Sequence, residues 1–246
     1  MTCNHLCMAP ITFAHRGARI AFPQNTMPAF RAGLAAGATG LESDAWLSAD
    51  GEVVLVHDRT VGGVFRRNDV RSMTAQELAD RDVPRLADVY DELGTDFEFS
   101  IDAKHDDVVL PMLDIAEQFH ATARLWLCHP SLDLLRDVRP TTAARLVHSC
   151  PKDRISVQIE RHAFDLQQAG IDVMNFRHVE WTEGLVAMFH RFGVLAFAWD
   201  VQEIRHLRMM TAIGVDGLYC DRPERMVTTV ADFLNPPIEG APVTEI

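Results

Sequence analysis

Residues 40–58 read G-L-E-S-D-A-W-L-S-A-D-G-E-V-V-L-V-H-D, and the fold turns on how they pair. The run 40–46 is a strand in which Glu42 and Asp44 are spaced i, i+2, so both carboxylates face one side. Glu52 to His57 is a second strand. Asp50-Gly51 between alternating hydrophobic residues signals a hairpin. With Asp50 and Gly51 as the two central turn residues, Asp44 lies opposite His57. Two carboxylates on a buried face repel unless a cation or a base lies between them. A local turn rule therefore already gathers an acidic pair and a histidine.

Upstream, a strand over 11–15 ends in Ala14-His15-Arg16-Gly17, followed by Pro23-Gln24-Asn25-Thr26. Downstream, further strands are expected at 97–103, 125–129, 143–148, 172–176, 194–199 and 217–220. Helical patterns fall at 26–37, 84–94, 107–120, 131–138, 160–169, 182–192 and 201–213. Strand alternating with helix along a whole chain implies a parallel sheet. Eight such strands, with no G-x-G-x-x-G turn after the first, favour a closed TIM (β/α)8 barrel over an open doubly wound sheet. The expected architecture is one domain over 1–246, with a hairpin and a short polar insertion at 59–82 after the second strand and a loose, Pro-rich tail at 235–246.

Barrel enzymes carry their chemistry at the C-terminal ends of strands. His15 and Arg16 end the first strand, and His57 ends the hairpin. Ile101-Asp102-Ala103-Lys104 ends the third strand, with Asp102 and Lys104 on one face. Asp102 would complete a three-carboxylate oxygen set with Glu42 and Asp44, which suits Mg²⁺ or Ca²⁺ rather than Zn²⁺. His129 ends the fourth strand and could line the same mouth. Other histidines, among them His105, His148, His162, His178, His190 and His206, read mostly as surface or packing residues.

The net charge of −12 argues against nucleic acid and anionic membrane surfaces as partners. A phosphate substrate would need a local cationic site. Lysine occurs only as Lys104 and Lys152, which singles out Lys104 beside its carboxylate. Five cysteines without a C-x-x-C pair suit a reducing compartment. Cys3, His5 and Cys7 read as part of a terminal tail rather than a metal site. No run approaches the ~18 apolar residues of a membrane span, and no signal-peptide pattern precedes the first strand. A cytoplasmic protein without stable membrane insertion is expected. The sequence leaves the oligomeric state open.

These motifs resemble the glycerophosphodiester phosphodiesterase family over nearly the whole chain. The family's H-R-G, P-E-N-T, E-x-D and H-D appear here as HRG 15–17, PQNT 23–26, ESD 42–44 and HD 57–58. V-P-R-L-A-D-V at 83–89, I-D-A-K at 101–104, F-A-W-D-V at 197–201 and G-V-D-G-L-Y-C-D-R-P at 214–223 look like later segments of the family. Gln24 and Asp102 stand where the family has glutamate. The resemblance implies a TIM barrel whose divalent cation is held by Glu42, Asp44 and Asp102. It makes His15 and His57 the acid–base pair, Arg16 and Lys104 the phosphate ligands, and Trp199 a further substrate contact. The implied reaction converts a small glycerophosphodiester to sn-glycerol 3-phosphate and an alcohol, with attack by the glycerol 2-hydroxyl and a cyclic phosphate that water opens. Which histidine gives and which takes the proton stays open. Two rivals remain: cleavage of a larger lysolipid diester, which would use Val61, Val64 and Phe65, and a silent phosphate-binding barrel, suggested by Gln24 and Asp102.

Overall fold

The computed structural model describes residues 9–63 and 66–236 of the chain. Its strands are β1 (Ile11–His15), β2 (Gly40–Leu47), β3 (Val53–Leu55), β4 (Thr60–Gly63), β5 (Arg66–Asp69), β6 (Glu98–Ala103), β7 (Leu125–His129), β8 (Arg145–Ser149), β9 (Val173–Arg177), β10 (Leu195–Trp199) and β11 (Gly217–Cys220). Among the described residues, eight of these run parallel in the ring order β1-β2-β6-β7-β8-β9-β10-β11, and β11 pairs back to β1. This is the expected TIM barrel. β3 lies outside the ring, antiparallel to β2. Parts of the expected tail (237–246), together with Cys3, His5, Cys7, Val64 and Phe65, fall outside the described residues.

Helices fill the crossovers: α1 (Met27–Ala35), α2 (Ala75–Ala79), α3 (Leu86–Leu93), α4 (Val109–Gln118), α5 (Leu132–Val138), α6 (Ile159–Gln168), α7 (Glu183–Arg191), α8 (Ile204–Ala212) and α9 (Pro223–Leu234). The sequence reading did not anticipate α9. Its Val227-Thr228-Thr229-Val230 run is rich in β-branched residues, which are mediocre helix formers. Pro223 in the first turn and a buried face of Met226, Thr229 and Val230 override that preference.

Inward-facing residues plug the barrel. Phe13, Trp126, Val147, Val173, Phe197 and Tyr219 form one buried cluster, with Phe13 stacked on Tyr219 at 4.8 Å between ring centres. Above this apolar floor the interior turns polar: Ser100 Oγ lies 2.8 Å from the Tyr219 hydroxyl and 3.2 Å from Cys128 Sγ. Nonpolar residues thus close the lower half, and the upper half is left for a site.

The hairpin forms, with a different register. Ala45 faces Leu55, and the Val56 amide donates to the Asp44 carbonyl (2.8 Å), so Asp44 lies opposite Val56 rather than His57. The loop has three residues, not two: Ser48 N–H donates to Glu52 O (2.9 Å), and Gly51 takes φ +85°. Asp50 is the reason. Its carboxylate accepts from Ser48 Oγ (2.6 Å) and from the Ala75 amide at the start of α2 (2.9 Å). That tie to the insertion outweighs the two-residue turn that Asp-Gly favours. The insertion itself is an antiparallel β4–β5 pair followed by α2. Its Val70, Met73 and Leu78 pack with Val54 of β3 and with Val83 into a small separate core.

Candidate active site

The HRG and PQNT segments build the first wall. Arg16 sits at φ +56°, and its amide donates to both the carbonyl and a carboxylate oxygen of Glu42 (3.0 Å each). Gly17 follows at φ +76°, and a Cβ there would stand 2.5 Å from the Ala29 carbonyl carbon of α1. Only glycine lets the loop lie against that helix. Asn25, also at positive φ (+56°), donates its amide to the Arg16 carbonyl (3.1 Å). Its side chain donates to Asp44 Oδ2 (3.1 Å) and accepts from Ser43 Oγ (2.9 Å). Thr26 caps α1. Two strained non-glycine residues in one loop, each held by several bonds, mark a stretch shaped by its site rather than by local preference.

His15, Arg16, Glu42, Asp44, His57, Asp102, Lys104 and Trp199 line one cavity of about 260 Å³ at the C-terminal mouth of the barrel. Despite the altered register, His57 reaches that cavity. Asp44 is the electrostatic hub. Lys104 Nζ lies 2.7 Å from Asp44 Oδ1 and 3.0 Å from Asp102 Oδ2, and Arg16 Nε lies 3.2 Å from Asp44 Oδ2. Burial pushes the Asp44 carboxyl up, but Lys104 and Arg16 outweigh it and hold the group below its ordinary range. Burial also pulls on the Lys104 ammonium, which Asp102 and Asp44 overcome, so its pKa rises. Glu42 has no such lysine. Burial pushes it up to about 7; His15 opposes the shift, and the Asp44 and Asp102 charges add to it. Arg16 NH1 donates to Gln24 Oε1 (3.0 Å), a neutral partner that leaves the guanidinium charge in place.

The two histidines have different settings. His15 is held on Nδ1 by Asp221 Oδ1 at 2.6 Å, with its Nε2 3.7 Å from Glu42. Asp221 follows β11 and is fixed by its amide donating to Gln202 Oε1 (3.0 Å). Burial lowers the His15 pKa, but Glu42 and Asp221 reverse this and raise it. His57 is more open. Its Nδ1 lies 2.8 Å from Asp58 Oδ1, and it also lines a neighbouring cavity of about 410 Å³ with Gln24, Val61 and Asp82.

Sequence reading missed Asp221, Asn25 and Asn175. The D-R-P at 221–223 carries part of the family resemblance, but nothing local links it to His15. Asn175 lines the cavity from β9, only 6% exposed. His129 is a correction. It is buried with Nε2 3.3 Å from Asp106 Oδ1, and it is not among the cavity-lining residues. Cys128, whose neighbour on β7 is His129, is the one that faces the interior, because successive strand residues alternate. Cys128 and Cys150 also line the cavity, but burial pushes both thiols up, Cys150 to about 11, so they stand protonated at neutral pH.

Among the described residues, no three His, Cys, Asp or Glu side chains stand together as a ready-made metal cluster. Lys104 occupies the space between Asp44 and Asp102. The donor chemistry nevertheless fits a hard cation: three carboxylates and no thiolate or imidazole in the set. Burial raises Glu42 most, with repulsion from Asp44 and Asp102 adding to it, and a cation beside the three carboxylates would offset both.

Among the described residues no helix is long and apolar enough to cross a membrane. Similarity to known proteins agrees with the barrel fold. A glycerophosphodiester phosphodiesterase from Caldanaerobacter subterraneus subsp. tengcongensis is 26% identical over 247 aligned positions, covering 91% of this chain and 98% of the relative. The barrel superposes on the crystal structure of a glycerophosphodiester phosphodiesterase from Thermotoga maritima with a TM-score of 0.79 at 23% identity, covering 89% of this chain and 97% of that one. It also matches an Oleispira antarctica phosphodiesterase solved with the product sn-glycerol-3-phosphate, with a TM-score of 0.77 at 16% identity and coverage of 90% and 97%. The pattern of the glycerophosphoryl diester phosphodiesterase family matches residues 15–225, and the chain belongs to that family of phosphoric diester hydrolases.

Proposed function

We propose that this chain hydrolyses a small glycerophosphodiester to sn-glycerol 3-phosphate and an alcohol. His15 and His57 carry the protons, and Glu42, Asp44 and Asp102 hold a divalent cation, Mg²⁺ or Ca²⁺. The barrel and its insertion act as one domain. The observation that carries this reading is the convergence of both histidines with Arg16 and Lys104 on one cavity. The Oleispira relative, which holds sn-glycerol-3-phosphate, supports the substrate class.

Arg16 and Lys104 bind the phosphate, and Trp199 forms the wall beside it. When bound, the cation supplies positive charge for the phosphoryl oxygens. His15, with Nδ1 committed to Asp221, takes the proton of the glycerol 2-hydroxyl at Nε2. The 2-oxygen attacks phosphorus, the bond to the alcohol oxygen breaks, and His57 gives its proton to the departing alkoxide. Water then opens the cyclic phosphate with the two proton roles exchanged. His57 is assigned to the departing side because it borders both cavities, so an alcohol leaving past it has somewhere to go.

Glycerophosphocholine incubated with the protein should release sn-glycerol 3-phosphate. Exhaustive chelation should stop the release, and Mg²⁺ or Ca²⁺ should restore it. No release from choline, ethanolamine or glycerol diesters under any divalent metal would exclude the activity. Full activity in chelated protein, shown metal-free by elemental analysis, would exclude the cation.

A further inference from the structure

Asn175 sits on β9, which lies across the ring from β2 and its carboxylates. It lies on the same side of the strand as Val173 of the apolar floor. The residue is only 6% exposed, and its side-chain oxygen is buried. Its Nδ2 donates to Ser149 Oγ at 3.1 Å, and its Oδ1 has no hydrogen-bond partner among the described residues. Both residues line the active-site cavity. A buried amide oxygen without a partner is costly, and native proteins rarely keep one unless something meets it.

The chemistry of the atom restricts what that is. A carbonyl oxygen repels the phosphate, whose own oxygens are acceptors, so the phosphate stays on the Arg16–Lys104 side. Asn175 needs a donor. Ser149 Oγ accepts from Asn175 and keeps its own hydroxyl proton free to donate. The pair therefore offers one acceptor and one donor side by side, which matches a hydroxyl group. On the reading proposed above, the glycerol half of the substrate has two hydroxyls. The 2-hydroxyl is taken up by attack at phosphorus, which leaves the terminal one.

We propose that Asn175, supported by Ser149, receives the terminal hydroxyl of the glycerol half and makes glycerol, rather than a diol lacking that hydroxyl, the preferred substrate. This inference rests on the proposed hydrolysis of glycerophosphodiesters.

Two substrates with the same head group test it: glycerophosphocholine and the propane-1,2-diol analogue, which keeps the 2-hydroxyl and lacks the terminal one. A site built to bond a hydroxyl rejects the analogue that lacks it, because its own polar groups go unpaired. The wild type should prefer glycerophosphocholine by tenfold or more in kcat/KM. Asn175→Ala and the near-isosteric Asn175→Leu should bring that ratio close to one by lowering kcat/KM for glycerophosphocholine alone. Ser149→Ala, which removes the amide's anchor, should lower the ratio part of the way, and it serves as the deciding variant if neither Asn175 variant folds. Equal losses on both substrates would show a structural residue and overturn the proposal. So would a wild type that turns over both substrates equally. A wild type that turns over neither, with choline, ethanolamine or glycerol as the shared head group and under any divalent metal, would sink the hydrolytic reading along with this one, so the two failures are distinguishable.

Discussion

The mouth of the barrel has two arcs built on identical strand geometry. From β1 through β2 to β6 the cavity is lined by His15, Arg16, Glu42, Asp44, Asp102 and Lys104, with His57 brought in by the hairpin. Across the ring, from β8 to β10, it is lined by Ser149, Cys150, Asn175 and Trp199, none of which carries a charge at neutral pH. On the charged arc nearly every side chain is committed to an ionic neighbour, and proton affinities are displaced in both directions. On the neutral arc the notable feature is an amide oxygen with no partner among the described residues. The difference separates two tasks. Charge development at phosphorus needs preset ions, whose mutual attraction fixes them before substrate arrives. Recognition of an uncharged alcohol needs a few directional bonds in a shaped wall.

If that division is right, the two arcs should fail differently. The largest effect belongs to the histidines: His15→Ala or His57→Ala should lower kcat by roughly 10²–10⁴ while calorimetry shows the cation still bound. The double variant should be little worse than the worse single one, because residues acting as a unit are not additive. Near-normal turnover per folded molecule in either single variant would break the division at its centre.

Asp221 sharpens it. Asp221→Asn keeps the shape but removes the charge that holds His15 Nδ1, and it should lower kcat by roughly tenfold or more with little change in KM. The unfolding temperature should move much less than the rate. If instead stability falls and kcat per folded molecule holds, Asp221 is a structural residue and His15 needs no holder.

Behind the neutral arc the failure should appear in stability. His148, outward-facing on β8, has its Nδ1 3.1 Å from His162 Nε2, and its Nε2 donates to the Pro130 carbonyl (3.1 Å). Burial, followed by the neighbouring His162, pushes the His148 pKa down to about 4 from an ordinary 6.5. The unfolded chain therefore binds this proton at a higher pH than the folded chain does. The stability that the neutral ring contributes is present above about 6.5 and is lost as pH falls toward 4. Melting curves between pH 7 and pH 4.5 should drop more steeply for the wild type than for His148→Asn. Parallel curves would show that this pair plays no part in acid sensitivity.

The charged arc was largely legible in the sequence, and the neutral arc was not. Acids, histidines and an arginine at the ends of short apolar runs are conspicuous, because a strand end is an unusual place for them unless they work there. Ser149 and Asn175 are ordinary residue types, and their meaning comes from burial, which no local pattern displays. Asp221 was invisible for another reason: it acts on a residue 206 positions away. The hairpin shows a local rule losing to a tertiary contact. Asp50-Gly51 asks for a two-residue turn, but the bond from Ala75 to Asp50 selects the longer loop, and a one-residue slip changes which residues face each other. Even so, the barrel was recoverable, since alternation of strand and helix survives small errors in any one element.

Closure of the ring between β1 and β11 also bears on how the protein is made. Synthesis runs from the N-terminus, so β1 emerges first and its second neighbour last. Until residues 217–220 are out, the sheet has two open edges, with the groups that later pair β1 to β11 unbonded. The proposed base likewise waits for its carboxylate, so no N-terminal fragment can carry the finished site. A break anywhere before Asp221 would cost more than a strand. It would leave an adhesive open sheet with His15 unsupported, prone to self-association and slow to be rescued by a contact that spans almost the whole chain.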